Sequence, residues 1–66
     1  MNEIAEAAHY YVEFAKDGIK NDGILDDVQA SGPRIQNKFW SIVDAELANL
    51  NIEFNSFEYK YEKVDA

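Results

Sequence analysis

LNIEFNSFEYKYEKV, residues 50–64, decides the fold. Taken at a spacing of three and four, Phe54, Phe57, Tyr61 and Val64 extend the line of Trp40, Val43, Leu47 and Leu50. One helix would then run from Pro33 to about Lys63, and it would pair as a coiled coil. Taken at a spacing of two, the same stretch is a β-hairpin turning at Asn55-Ser56. Phe54 then opposes Phe57, Ile52 opposes Tyr59 and Leu50 opposes Tyr61. All six share one face, with Asn51, Glu53, Glu58 and Lys60 on the other. The hairpin is preferred. The segment is rich in aromatic residues, alternates strictly from Phe57 to Glu62, and has Asn and Ser where a turn is needed. Against it stand a like-charge pair, Glu53 opposite Glu58, and a dipeptide that turns less well than Asn-Gly. A hairpin is not stable alone, so its apolar face must lie on helices.

The helix before it is SGPRIQNKFWSIVDAELANL, Ser31 to Leu50. Pro33 suits a first helical turn, with Ser31 or Gly32 as N-cap. Ile35, Phe39, Ile42, Val43, Leu47 and Leu50 form its apolar face, with Trp40 on the flank. Glu46 projects near the middle of that face. It must reach water or find a partner such as Lys38, His9 or a tyrosine, because an unpaired buried carboxylate is too costly to stay ionised. Escape to water is the favoured outcome.

Residues 2–17, NEIAEAAHYYVEFAKD, predict another helix. Asn2 is an acceptable N-cap, and Glu3 and Glu6 lie where the macrodipole favours anions. Ile4, Ala7, Ala8, Tyr11, Phe14 and Ala15 share one face, with Val12 at its edge; Glu3, Glu6, Tyr10, Glu13 and Asp17 share the opposite one. Gly18 is placed to end the helix in a left-handed conformation. Asn21-Asp22-Gly23 reads as a turn. Ile24 to Ala30 reads as a short helix, with Ile24, Leu25 and Val28 inward.

The expected fold class is therefore α+β, mostly helical, in a single small domain of residues 1–66. Two main helices and a short middle helix carry a C-terminal β-hairpin packed on them. The alternative is all-α, with one long C-terminal helix forming a dimeric coiled coil.

A chain of 66 residues has a marginal core and usually needs a staple. There is no cysteine, which excludes disulfides and thiolate metal sites, and one histidine cannot build a His-rich one. No cofactor and no metal are expected. Asp22, Asp26 and Asp27 lack the spacing of a calcium loop. No apolar run approaches the roughly 18 residues of a membrane span, and Asn2, Glu3 and Glu6 open the chain where a signal peptide would be basic. The chain is expected to be complete and cytoplasmic.

Thirteen acids against six bases give a net charge of −7. Bare nucleic acid and anionic membranes are disfavoured as direct partners. A basic protein is favoured, and nucleic-acid-binding proteins carry the commonest basic surfaces. His9 and the serines, Ser31, Ser41 and Ser56, stand in no catalytic pattern, so no enzyme is expected.

Two features carry the functional reading. Glu3, Glu6, Glu13 and Asp17 surround Tyr10 on the outer face of the first helix, and Asp22, Asp26 and Asp27 lie just beyond it in the chain. Glu13 and Asp17 sit where the helix dipole disfavours them, so local stability does not account for them. A line of carboxylates presents charge to a basic groove much as phosphates do. The second feature is an aromatic surplus, of which Tyr10 and Trp40 are the expected exposed anchors. The expected partner-binding residues are thus Glu3, Glu6, Tyr10, Glu13, Asp17, Asp22, Asp26, Asp27 and Trp40. The small size, the acidity and the missing active-site motifs resemble phage-encoded inhibitors of the anti-CRISPR and DNA-mimic kind. That resemblance implies an inhibitor or regulator of a nucleic-acid-binding protein. A homodimer or larger homo-oligomer with a structural role is the alternative. The order helix, short helix, helix, hairpin also resembles a winged-helix domain. Arg34 and Lys38 are offset there by Asp44, Glu46, Glu53 and Glu58, which ranks DNA binding lower.

Overall fold

The computed structural model describes residues 3–64. The element order is α1 (Glu3–Lys16), α2 (Asp22–Ala30), α3 (Pro33–Leu50), β1 (Ile52–Asn55) and β2 (Lys60–Lys63). The two strands form an antiparallel hairpin packed on the helices. The expected N-cap at Asn2 and the tail beyond Val64 lie outside the described residues.

Each helix stops where its backbone is given an alternative. At the end of α1, Gly18 takes φ +87°. The Ile19 amide then reaches back to the Phe14 carbonyl at 3.0 Å, and the Gly18 amide to that of Ala15 at 2.9 Å. The α3 helix ends at Leu50, because Asn51 adopts a left-handed φ of 57°. The Asn51 carbonyl in turn accepts from the Val64 amide at 2.7 Å, which fastens the end of the hairpin to the end of the helix. This settles the reading of residues 50–64 in favour of the hairpin.

The Asn21-Asp22-Gly23 turn is corrected. Asp22 and Gly23 belong to the first turn of α2, and Asn21 is its N-cap, with Oδ1 accepting from the Ile24 amide at 3.2 Å. The same asparagine that tolerates a turn is a strong cap, and an Asp in the first helical turn suits the dipole. Gly32 is the N-cap of α3, ahead of Pro33. Ser31 ends α2 instead, its hydroxyl donating to the Asp27 carbonyl at 3.0 Å.

The hairpin register also differs. Ile52 pairs with Lys63, Glu53 with Glu62, Phe54 with Tyr61 and Asn55 with Lys60. The connection is Ser56 to Tyr59, not Asn55-Ser56. Asn55 closes the strand, and its Oδ1 accepts from the amides of Phe57 at 2.9 Å and Glu58 at 3.1 Å. This side-chain turn needs residues after the asparagine, so the loop grows. The slip is even-numbered and therefore keeps Ile52, Phe54 and Tyr61 on one face. It removes Phe57 and Tyr59 from that face. Phe57 becomes fully exposed at the loop tip. Tyr59 takes a left-handed φ of 55° and is held there by Lys20, which donates to its hydroxyl at 3.0 Å, and by the Phe54 ring at 5.4 Å.

The core gathers around Tyr11. Its ring meets Phe39 at 5.5 Å, Trp40 at 5.6 Å and Tyr61 at 5.7 Å, each edge to face. Ala8, Val12 and Ala15 of α1, Val28 of α2, Val43 and Leu47 of α3, and Ile52 complete it. Small residues at 8 and 15 let α1 lie close on α3. Two expectations for α1 are corrected: Val12 is buried, whereas Phe14 is 40% exposed. The helix packs chiefly on α3 and β2, on the Val12 side, while α2 packs chiefly on α3. Phe14 instead lines the open space between α1 and α2. On α3, Phe39, Val43 and Leu47 are buried as expected, Ile35 and Ile42 are half-buried, and Leu50 is exposed where the helix stops.

Candidate functional site

The acidic face of α1 is where its periodicity put it. Glu3, Glu6, Tyr10, Glu13 and Asp17 are all exposed, and so are Asp22, Asp26 and Asp27 of α2. Two of these acids are engaged locally. Glu13 accepts from Lys16 at 3.0 Å and lies 3.6 Å from His9. The lysine hydrogen bond, reinforced by its charge and by His9, holds the Glu13 carboxyl below the usual carboxylate range. Asp22 pairs with Lys20, and this hydrogen bond, with that to Tyr59, pushes the Lys20 ammonium pKa up. Glu3, Glu6, Asp17, Asp26 and Asp27 pair with no cation among the described residues. Their field is therefore directed at solvent.

Tyr10 is 60% exposed among these acids, as an anchor should be. Trp40 is placed otherwise. It is half-buried, with its ring edge-on to Phe39 at 5.3 Å and to Tyr11 at 5.6 Å. It borders a shallow depression with Lys20, Asp44, Phe54 and Tyr61, between α3 and the hairpin. The α1 acids line no part of this depression. The nine expected residues thus do not form one surface. Glu3 and Asp27 line one groove with Tyr10, Glu13 borders α3 beside His9 and Lys16, Asp22 is held by Lys20, and Trp40 belongs to the core's edge.

What joins α1 to α2 is this groove, of about 600 Å³. Ile4, Ala7, Tyr10 and Phe14 form the α1 wall, Ile24 and Val28 the α2 wall, and Ile35 the floor. Glu3 stands on one rim and Asp27 on the other, and no Lys, Arg or His lines it. Sequence reading placed the acids but not the groove. Ile4, Ala7, Phe14, Ile24 and Val28 are all at positions that periodicity sends to the core. Whether two amphipathic faces meet or stay apart depends on how α2 packs, and no local pattern encodes that. Phe57 was missed for a related reason, since its exposure results from the loop length.

Glu46 is half-buried at the border of α1 and α3, near His9, Val12 and Lys16. Among the described residues, no group of three His, Asp or Glu side chains is placed to hold a metal ion. No described helix is long and apolar enough to cross a membrane. No protein-family model matches the chain, and no match is found among curated proteins or solved structures.

Proposed function

We propose that this chain is a non-enzymatic inhibitor or regulator. It docks the acidic side formed by α1 and α2 on a basic, nucleic-acid-binding protein of the cytoplasm, in the manner of a DNA mimic or a phage anti-CRISPR protein. One observation carries the reading. Glu3, Glu6, Asp17, Asp26 and Asp27 are exposed without a cation partner among the described residues, and Glu3 and Asp27 border one groove between α1 and α2 together with the exposed Tyr10. Carboxylates left unneutralised on a rigid helix repel one another at some cost to stability. They raise both the encounter rate and the selectivity for a cationic surface.

The rival is self-association through exposed apolar side chains, for which Phe57 is the specific support: it is a large ring left wholly in water. A charge of −7 on each copy opposes that association at low salt. Direct DNA binding through α3 ranks below both and predicts retardation of a DNA fragment at low salt.

The test is a paired pull-down from the native host. The baits are the wild-type chain and a variant with Glu6→Lys, Glu13→Lys and Asp17→Lys. The wild-type bait should retain basic proteins that are absent from the variant. The same proteins on both baits would end the proposal.

A further inference from the structure

The geometry points to the groove between α1 and α2 as the seat of a cationic amphipathic helix of the partner, which places its apolar side chains between Phe14 and Ile24 and its lysines or arginines against Glu3 and Asp27. This inference rests on the acidic-surface reading and adds the class of segment that is recognised.

Three observations carry it. The first is the shape. The α1 wall runs from Glu3 to Phe14, about three turns and about 16 Å of helix axis. Apolar anchors at i, i+4 and i+7 of a docked helix span about 10 Å, so two or three of them fit along the wall. The second is the lining. Between the rims the lining is mostly aliphatic and aromatic, with Asn21 and Ser31 at the two ends of α2: Phe14 is 40% exposed, Tyr10 60%, and Ile35 is half-buried. Apolar side chains left in water along one continuous trough gain by being covered. The third is the charge of the rims. Each rim carries a carboxylate, and no basic side chain lines the groove. On the helical wheel Glu6 and Asp17 lie next to Tyr10, so the negative field continues outward from the α1 rim. An apolar trough between two acidic rims complements an apolar stripe flanked by bases. It repels a second copy of this chain, whose charge is −7. Both walls are helices and present no strand edge, so the occupant docks through side chains and not by strand addition.

The experiment titrates the isotopically labelled full chain with three synthetic peptides and tracks backbone amide shifts and affinity. One peptide is a leucine-lysine amphipathic helix. The second keeps the lysines but has serine for leucine. The third keeps the leucines but has glutamate for lysine. The first is expected to move the amides of Ala7, Phe14, Ile24 and Ile35, and to bind about ten-fold more tightly than either control. Asp27→Lys, at an exposed position, should weaken it by about ten-fold and leave the circular dichroism unchanged. Ala7→Trp, which fills the trough, should weaken it at least as much. Equal binding of the lysine-serine peptide, with shifts confined to Glu6, Glu13 and Asp17, would overturn the groove and leave the acidic surface standing. Failure of every cationic peptide to bind would overturn both. Concentration-dependent shifts in the groove without peptide would assign it to a second copy and overturn the inference.

Discussion

The hydroxyls of Tyr11 and Tyr61 meet at 2.6 Å in the buried centre of the protein, fifty residues apart in sequence. Tyr11 comes from the inner face of α1 and Tyr61 from β2, so this one bond ties the first described element to the last. Each hydroxyl is the partner the other needs. No described buried side-chain nitrogen or oxygen lacks a hydrogen bond. Tyr61→Phe strands the Tyr11 hydroxyl in the core and should cost about 1–3 kcal/mol. Tyr11→Phe together with Tyr61→Phe removes both polar groups and should cost less than the two single changes added. Urea unfolding of the four proteins in a double-mutant cycle measures this.

The same pair sets an alkaline limit. Burial, reinforced by the bond to Tyr61, pushes the Tyr11 phenol well above its ordinary 10.0, and burial also raises Tyr61. Above pH 10 the unfolded chain releases these protons while the folded one keeps them. The folded state then binds more protons, so stability falls as pH rises. Stability should be flat from neutral pH to about 9 and drop steeply beyond about 10. The double Phe variant should lose much of that drop. Thermal melts across alkaline pH report it.

Gly18 and Gly32 separate backbone strain from contact. Both have positive φ, +87° and +100°. A Cβ at Gly32 meets nothing within 4 Å, whereas one at Gly18 would lie 3.3 Å from the Tyr61 carbonyl oxygen. That oxygen belongs to backbone, and the Tyr61 amide already donates to the Gly18 carbonyl at 3.2 Å. Gly32→Ala should cost about 1–3 kcal/mol from backbone strain alone, because φ +100° with ψ 168° is a region that essentially only glycine enters. Gly18→Ala should cost more, because the hairpin must also move. Equal losses in chemical denaturation would contradict this packing of β2 on the end of α1.

Glu53 faces Glu62 across the hairpin. Like charges directly opposite are destabilising, and an opposite-charge pair there contributes roughly 0.2–1 kcal/mol. Glu53→Lys should raise the midpoint of unfolding by that order. Glu53 is neither on α1 nor on α2, so partner binding should survive the change. A Glu53→Lys protein that is less stable would argue for a different register.

Much of this fold was legible in residue order. Helix ends were marked by Gly18 and by the weak helix formers around Asn51, and alternation after Phe57 signalled strand. Three things were not legible. Asn21 and Asn55 each use a side-chain oxygen to accept from backbone amides two or three residues further on. An asparagine that caps and one that turns look alike in sequence. The hairpin register is invisible to alternation, because an even slip preserves the pattern. The exposure of Phe14 depends on α2 packing against α3 and leaving α1 uncovered, a tertiary choice that periodicity cannot see. The acidic side was legible because charge on a helix face needs only the helix. The groove it borders was not, because a groove is defined by two elements at once.

The proposed function stands or falls on recognition of the α1 carboxylates by the partner. The most direct test is the affinity of the captured partner for the wild-type chain and for the Glu6→Lys, Glu13→Lys, Asp17→Lys variant, measured over a series of salt concentrations. Wild-type binding should weaken steadily as salt rises, as screened charge pairs must. The variant should bind at least about ten-fold more weakly at low salt, with a flatter dependence. Equal affinities with a salt-independent wild-type complex would contradict the proposed function.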